Sequence, residues 1–516
     1  MTSTRTRSQA VPSQRGKRTG ASPKTASRRR AAQRTGPGAP VRRYELDTDI
    51  KRLTPAERAE KGRRLREQVP RSGHAEFTPD PQRPDPVDLL MEQSANRLPD
   101  LVPIRYGRMI ASPFSYFRGA ALPMAYDLSH TPATGLPVQA CGDAHLGNFG
   151  LFGSAERKLI FDINDFDETL PGPWEWDVKR LTASLEITAR DNGVRKRDRT
   201  AMVRLAAARY RTAMREFAAM TNLDVFYSMA DSGAIQRQLS DRLSSRQRGR
   251  LTKGIAKAHS RDSMQALQKL TRSVDGKPQI VPDPPLVIPL SSLLPGDMDR
   301  TGLEQSLLGI IESYKRTLPG DRRYLLDQYR SSTADIARKV VGVGSVGTRC
   351  WIMLMLGRDS DDPLFLQMKE AGPSVLSEFA GRSRFENQGQ RVVEGQRLMQ
   401  AASDIFLGWQ RLNPAPDGLV RDFYIRQLRD WKLSLDTQDM PPSALSDYGE
   451  ICAWTLARAH ARSGDRIAIA AYLGNSDTFD RAIGAFATAY ADQNEKDYEA
   501  LREAAASGRI LAQRGI

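Results

Sequence analysis

This chain has little cysteine and little histidine. Its three cysteines, Cys141, Cys350 and Cys452, are widely separated and odd in number. That excludes a small disulfide-stapled domain and suits a reducing cytoplasm. They offer no metal-ligand spacing, and five histidines in 516 residues leave little material for a multi-histidine metal centre. No apolar run approaches the ~20 residues that a membrane span requires, and the start of the chain lacks the apolar segment of a secretory signal. There is no internal repeat and no heptad pattern. A Gly-Lys pair followed by Ser or Thr at the end of a phosphate loop is also missing, which removes the Walker A class of nucleotide site.

Acidic residues are absent from residues 1–43, which hold twelve Lys or Arg, among them Arg28, Arg29 and Arg30. The net charge of +16 therefore misleads, because the remainder carries 65 basic against 61 acidic side chains. A nearly balanced body counts against a dedicated nucleic-acid-binding protein. The tail, rich in Ser, Thr, Pro and Arg, is expected to be disordered. It reads as a solubilising extension or as a weak, non-specific binder of nucleic acid or anionic surfaces. An Arg-rich, acid-free start also has the character of an organelle transit peptide.

Taken whole, the chain, with 40% hydrophobic and 27% charged residues, has the composition of an ordinary globular protein with room for two or three domains. Thr54-Pro-Ala-Glu57 is a capping box opening a helix to about Gln68, and a short helix is expected near Val87–Arg97. From about 175 to 222 the pattern is helical, with Val203, Ala207, Tyr210, Met214 and Phe217 forming a core-facing stripe. Residues 236–275 read as a basic helical segment with a solvated face (Arg246, Arg248, Arg250, Lys253, Lys257). Residues 276–298 are Pro-rich and extended, and helix resumes over 302–316. Beyond 335 the pattern is strand, glycine loop, strand, turn and strand, an antiparallel sheet. A helix over Gln390–Leu407, a strand at Phe423–Leu428 and a helical C-terminal part (445–511) follow.

Two regions carry chemistry. The first is Cys141-Gly-Asp-Ala-His-Leu-Gly-Asn148, followed by Ile160-Phe-Asp-Ile-Asn-Asp-Phe-Asp-Glu168 at the end of an apolar strand. Asp143 and Asn148 have the D-x-x-x-x-N spacing of a kinase catalytic loop. In phosphoryl transfer a carboxylate orients the attacking hydroxyl, while an amide oxygen and a second carboxylate hold Mg²⁺ on the nucleotide phosphates. The second is Lys339-Val-Val-Gly-Val-Gly-Ser-Val-Gly-Thr348, in which Gly342, Gly344 and Gly347 spell G-x-G-x-x-G. A dinucleotide fold would run from this loop into a helix. Here Cys350 to Leu356 reads as a strand, which is the setting of the kinase loop over ATP phosphates. The next strand supplies Lys369, placed to reach the α- and β-phosphates. Of the glutamates that follow, Glu378, Glu386 and Glu394, we choose Glu394 as its partner, since Glu394-Gly-Gln-Arg-Leu-Met-Gln-Ala-Ala has the pattern of the kinase helix that pairs with the lysine.

These residues resemble the protein-kinase-like superfamily, and the Asp143 loop resembles its aminoglycoside and choline phosphotransferase branch. From about residue 60 the chain also resembles the uncharacterised bacterial DUF2252 family. Arg108-Met to Arg118-Gly119, the two stretches around Asp143 and Asp165, Trp174 to Arg180, Lys339 to Thr348 and Leu366 to Ala371 carry that likeness. The superfamily resemblance implies an α+β, two-lobe fold with a small antiparallel-sheet lobe and a large helical lobe, binding ATP and Mg²⁺. Asp143 would be the catalytic base, Asn148 and Asp165 the metal ligands, with Asp162 and Asp167 as alternatives to Asp165. Asp177 would accept backbone hydrogen bonds beneath the loop, and His145 would organise it rather than carry a proton.

The order of the motifs departs from the superfamily, because the glycine loop and lysine follow the catalytic loop by about 200 residues. Leu456-Ala-Arg-Ala-His-Ala-Arg-Ser-Gly464, which resembles the helix that leads into a catalytic loop, lies near the C-terminus. A circular permutation accounts for both. The expected organisation is a tail (1–43), a helical and catalytic-loop segment (44–334), a nucleotide-binding lobe (335–440) and closing helices (441–516). The permutation requires Lys369 and Asp165 to lie within roughly 10 Å, since both must reach one set of phosphates. The expected activity is phosphoryl transfer from ATP to a hydroxyl of an unidentified acceptor, a small molecule before a protein. A nucleotide-sensing pseudokinase and a nucleotidyltransferase are the competing readings.

Overall fold

A computed structural model describes residues 43–46, 52–231, 262–274, 277–293, 309–415, 417–428 and 431–516, with isolated positions between 233 and 260. The basic tail to residue 42, most of the first part (236–261) of the basic segment 236–275 and the start of the 302–316 helix lie outside the described residues. In the remainder of that basic segment Ser263–Leu270 is helical as expected, but Thr271–Val274 is a strand. Residues Arg43–Ile516 form one compact unit.

The secondary structure is mixed α+β. The strands are β1 (Pro137–Ala140), β2 (Phe149–Gly153), β3 (Leu159–Ile163), β4 (Leu170–Pro173), β5 (Ala230–Asp231), β6 (Thr271–Val274), β7 (Lys277–Ile280) and β8 (Val287–Pro289). They continue as β9 (Arg330–Lys339), β10 (Cys350–Leu356), β11 (Pro363–Ala371), β12 (Gly408–Leu412), β13 (Arg421–Gln427) and β14 (Leu433–Ser434). The largest sheet has the order β12-β13-β11-β10-β9-β8, and its pairs are antiparallel. It draws in β8, so the sheet reaches further toward the N-terminus than the expected span from 335. A second sheet, β14-β2-β3-β5, and the pair β1-β4 frame the Asp143 loop.

Both faces of the large sheet are covered, which is why its strands read as nearly unbroken apolar runs. Met353, Met355, Leu364 and Leu366 face a cluster with Tyr314, Leu326 and Phe406. Ile352, Leu354 and Phe365, the alternate residues, face Ala266, Ile280 and Val287. This is the two-residue period of a pleated strand. The principal core lies elsewhere, between the helices Trp174–Asp191, Lys196–Ala219, Pro442–Ser463 and Thr478–Ala506 and the strands β1 to β3. Val203, Ala207, Tyr210, Met214 and Phe217 are all buried in it, as their spacing predicts.

The capping box at Thr54 is present. Glu57 N–H donates to Thr54 Oγ1 at 3.3 Å and Thr54 N–H donates to Glu57 Oε2 at 2.7 Å, at the head of the Pro55–Gln68 helix. The helix Pro442–Ser463 ends against the start of β1. Gln139 N–H donates to Ser463 Oγ at 3.1 Å, and a methyl group on Gly464 would lie 2.6 Å from Val138 Cγ1. The segment expected to lead into the catalytic loop thus adjoins the strand that enters it, 324 residues apart in sequence. No helix among the described residues is long and apolar enough to cross a membrane.

Candidate active site

The Asp143 loop is built from below. Strand β1 ends at Ala140, and Gly142 turns the chain with φ +80°, where a Cβ would lie 2.4 Å from the Glu168 carbonyl oxygen. Only glycine fits there. Asp177, in the first turn of the Trp174–Asp191 helix, accepts from Cys141 N–H at 2.6 Å and Gly142 N–H at 2.9 Å. This is the supporting role expected of it. Its Oδ2 also lies 3.1 Å from His460 Nε2, on the helix that abuts β1. Further along, Leu146 N–H donates to Ser184 Oγ, and Tyr448 OH donates to the carbonyls of Leu146 and Phe149. Asn148 is turned inward, with Nδ2 donating to the Asp143 carbonyl at 2.7 Å.

Asp143 itself is paired. Its Oδ1 lies 2.5 Å from the guanidinium of Arg180, and its side chain is 18% exposed into a cleft. Burial pushes its carboxyl up, and Arg180 opposes that only in part. His145 is buried, with Nε2 3.7 Å from Asp143 Oδ2. Burial, with Arg118 and Arg180 nearby, holds its imidazole well below the usual range and therefore neutral. The hydrogen-bonding role expected of it is not seen: Nδ1 is buried without a partner and Nε2 stays beyond hydrogen-bond distance of Asp143.

The run of acids after β3 is divided by position. Asp162 is 1% exposed and serves the fold, taking Arg458 at 2.6 Å and the Ala401 N–H at 2.8 Å. Asp165 and Asp167 line the cleft, as does Glu168. Asp167 accepts from Lys369 Nζ at 2.9 Å, Ser345 Oγ at 2.9 Å and Tyr424 OH at 2.7 Å. Burial works to raise its carboxyl, but Lys369, Tyr424 and Ser345 outweigh it and hold it down at about 2. Asp165 lies 3.8 Å from Lys369 Nζ, well inside the distance the permutation requires. Burial would lower the Lys369 ammonium, and Asp165 with Asp167 overrides it and keeps it charged. Glu168, half-buried and accepting from Val375 N–H at 2.7 Å, is pushed up to about 7 by its desolvation, with that N–H and Arg391 working against the rise.

The glycine loop runs between the antiparallel strands β9 and β10, and Gly342 and Gly344 line the same cleft as Asp143 and Asp165. Gly347 does not line it. Its φ of +89° makes the turn, and a Cβ there would come within 3.0 Å of Arg97. The loop is tied down from outside: Arg97 donates to the carbonyls of Gly344 and Val346, and Arg108 donates to that of Val341.

Glu394 is not brought to Lys369. It sits on the Gln388–Met399 helix, half-exposed, 3.5 Å from Arg397. The helix presses Gly395 against Thr169 so closely that a Cβ would lie 2.4 Å from the Thr169 methyl, which leaves residue 394 at the rim. What the helix sends inward is Arg391, donating to the carbonyls of Asp167, Thr169 and Gly372. The acid-rich turn already supplies the counter-charge for Lys369, so a helix glutamate has no vacancy to fill.

Sequence reasoning assigned no role to Arg180, Tyr424, Arg426, Lys432 or Arg118, all of which contact or line this site. Arg180 was the most legible of them. It lies three residues after Asp177 on one helix, hence on the same face toward the loop.

The cleft has a volume of about 360 Å³, in the range of small-ligand sites. The described residues contain no group of three His, Cys, Asp or Glu able to hold a metal. Mg²⁺, however, is commonly held by one or two protein oxygens together with phosphates and water. The amide of Asn148 and the carboxylate of Asp165 suit that mode, and Asn164 N–H donates to the Asn148 carbonyl at 2.8 Å, which brings their backbones together.

Comparison with curated proteins gives no match, and comparison with solved structures gives none. The family model described as uncharacterised protein conserved in bacteria (DUF2252) matches residues 97–504, a span that includes the Asp143 loop, the acid-rich turn, the glycine loop and Lys369. The match starts later than the resemblance from about residue 60 suggested, and it covers most of the chain, which therefore belongs to the DUF2252 family.

Proposed function

We propose that this protein is an ATP- and Mg²⁺-dependent phosphotransferase acting on a hydroxyl group, with a circularly permuted kinase-like fold. One observation carries the reading: a single cleft is lined by Asp143, Asn148 and Asp165 and by Gly342, Gly344 and Lys369 from some 200 residues later. Lys369 and the glycine loop bind the nucleotide phosphates. Asn148 and Asp165 would hold the metal. The metal would supply charge neutralisation between the phosphates, and the residues supply position. Asp143, its carboxyl raised by burial, accepts the proton of the acceptor hydroxyl as that oxygen bonds to the γ-phosphorus and the bond from that phosphorus to the β,γ-bridging oxygen breaks, with ADP leaving. The handover from Ser463 to Gln139 supports the permutation, since it joins the closing helix to the catalytic strand in space. A cytoplasmic location accords with three free cysteines.

A second reading, a nucleotide-binding sensor without transfer, is favoured by the tight Asp143–Arg180 pair, which occupies the carboxylate a base would use. Transfer of label from γ- or α-labelled ATP to a panel of hydroxyl metabolites and proteins separates these readings. Wild type should transfer γ-label, and Asp143→Ala and Asp165→Ala should not. Transfer from the α position would identify a nucleotidyltransferase, and nucleotide binding with no transfer across the panel would favour the sensor.

A further inference from the structure

Five arginines surround the glycine loop and the Asp143 loop, and four of them are already engaged. Arg97 and Arg108 hold loop carbonyls, Arg180 holds Asp143, and Arg426 donates to the Asn164 carbonyl at 3.2 Å and lies 3.4 Å from Gln367 Oε1. Arg118 differs. It lines the cleft, yet its side chain makes no hydrogen bond or close ion pair among the described residues, and its Nε is buried without a partner. Only Nε is shut away from water; the rest of the half-buried guanidinium lines the cleft with no protein acceptor engaged, so its donors are left for a ligand.

Its position is defined from two sides. A methyl group on Gly147 would lie 3.5 Å from Arg118 Nε, and one on Gly342 would lie 3.8 Å from its terminal nitrogen. The guanidinium therefore stands between the catalytic loop and the glycine loop. Its backbone is fixed as well: Arg180 donates to the Phe117 carbonyl at 2.9 Å and Arg105 to the Gly119 carbonyl at 3.0 Å, on either side of residue 118. Burial lowers the guanidinium's affinity for its proton, and the carboxylates of Asp143 and Asp165 partly restore it.

We infer that Arg118 binds the terminal phosphoryl group of the nucleotide, so that the site distinguishes a triphosphate from a diphosphate. This rests on the proposed nucleotide-binding cleft and goes beyond it, because no sequence motif assigned Arg118 a role. A planar fork of donors matches the oxygens of a phosphoryl group. Between the glycine loop and the group that orients the acceptor, it would face the charge that moves during transfer.

The test needs no acceptor. Calorimetric binding of Mg²⁺–ADP and of the Mg²⁺ complex of a non-hydrolysable β,γ-imido triphosphate is measured on the full chain, wild type beside Arg118→Gln, Arg118→Lys and Lys369→Met. Wild type should prefer the triphosphate. Arg118→Gln should weaken the triphosphate by about 10- to 100-fold, the size expected for a charged hydrogen bond, and leave ADP affinity within about twofold. Arg118→Lys, which keeps the charge and loses the fork, should fall between, and it decides the question if the glutamine variant does not fold. Lys369→Met should weaken both ligands. An unchanged triphosphate preference in the arginine variants, or an equal loss for both ligands, overturns the assignment of Arg118. Wild-type protein that binds neither nucleotide overturns the cleft reading itself, and the inference with it.

Discussion

Arg180 lies 2.5 Å from Oδ1 of Asp143, and the two side chains are 3% and 18% exposed. The pair joins the loop expected to carry chemistry to the helix beneath it. Removing the cation would leave a largely buried carboxylate without its partner. Arg180→Met should therefore lower unfolding stability by about 3 kcal/mol, the lower end for broken buried pairs because Asp143 keeps some contact with water. It should also move the Asp143 carboxyl further up. If Asp143 is the base, the rate falls as pH drops through its pKa, so the acid limb of the pH–rate profile should shift to higher pH. Denaturant titration and a pH profile of transfer check the two effects separately.

Asp177 accepts two consecutive backbone N–H groups and touches His460. Asp177→Ala strands both donors in a dry site, at roughly 1–3 kcal/mol each. Asp177→Asn keeps one acceptor oxygen and should cost about half as much. Thermal melts of the two variants beside wild type give the comparison.

Gly142→Ala combines a positive φ of +80° with a Cβ placed 2.4 Å from the Glu168 carbonyl oxygen. The strain should exceed about 2 kcal/mol and displace the Asp143 loop. Gly193→Ala, at φ +68° with nothing within 4 Å, is the control and should cost only about 1 kcal/mol. Equal losses in urea titrations of the two variants would mean that the close approach of Glu168 contributes nothing.

Glu168 and Asp167 are adjacent and titrate in opposite directions. Glu168 is raised from 4.5 to about 7. Between those values the folded protein holds a proton that the unfolded chain releases, so stability should decline as pH rises from 4.5 to 7, by up to about 3 kcal/mol. Asp167 is lowered from 3.8 to about 2. Its contribution is present above 3.8 and is lost as pH falls toward 2. Glu168→Gln should flatten the decline between pH 5 and 7 in urea titrations and leave the acid-side loss in place.

Local pattern made much of this fold legible. The capping box at Thr54, the apolar stripe from Val203 to Phe217 and the β9-loop-β10 succession are written in short-range spacing, and the structure has all three. Placement of Asp177 under the loop was also readable through the family resemblance, which implies a fixed interval between it and Asp165, and the two N–H groups it accepts are in place. Glu394 was misassigned because its helix matched a pattern, whereas the counter-charge of Lys369 is decided by Asp167, a residue 202 positions away. Arg118 and Arg180 escaped notice for a related reason: arginine is common in this chain, and only burial beside a particular carboxylate or glycine distinguishes one from another.

Ser463 and Gln139 touch although most of the polypeptide separates them. Travel through the enclosure therefore does not follow travel along the chain. A displacement at the end of the Pro442–Ser463 helix would be passed directly to the strand that enters the Asp143 loop.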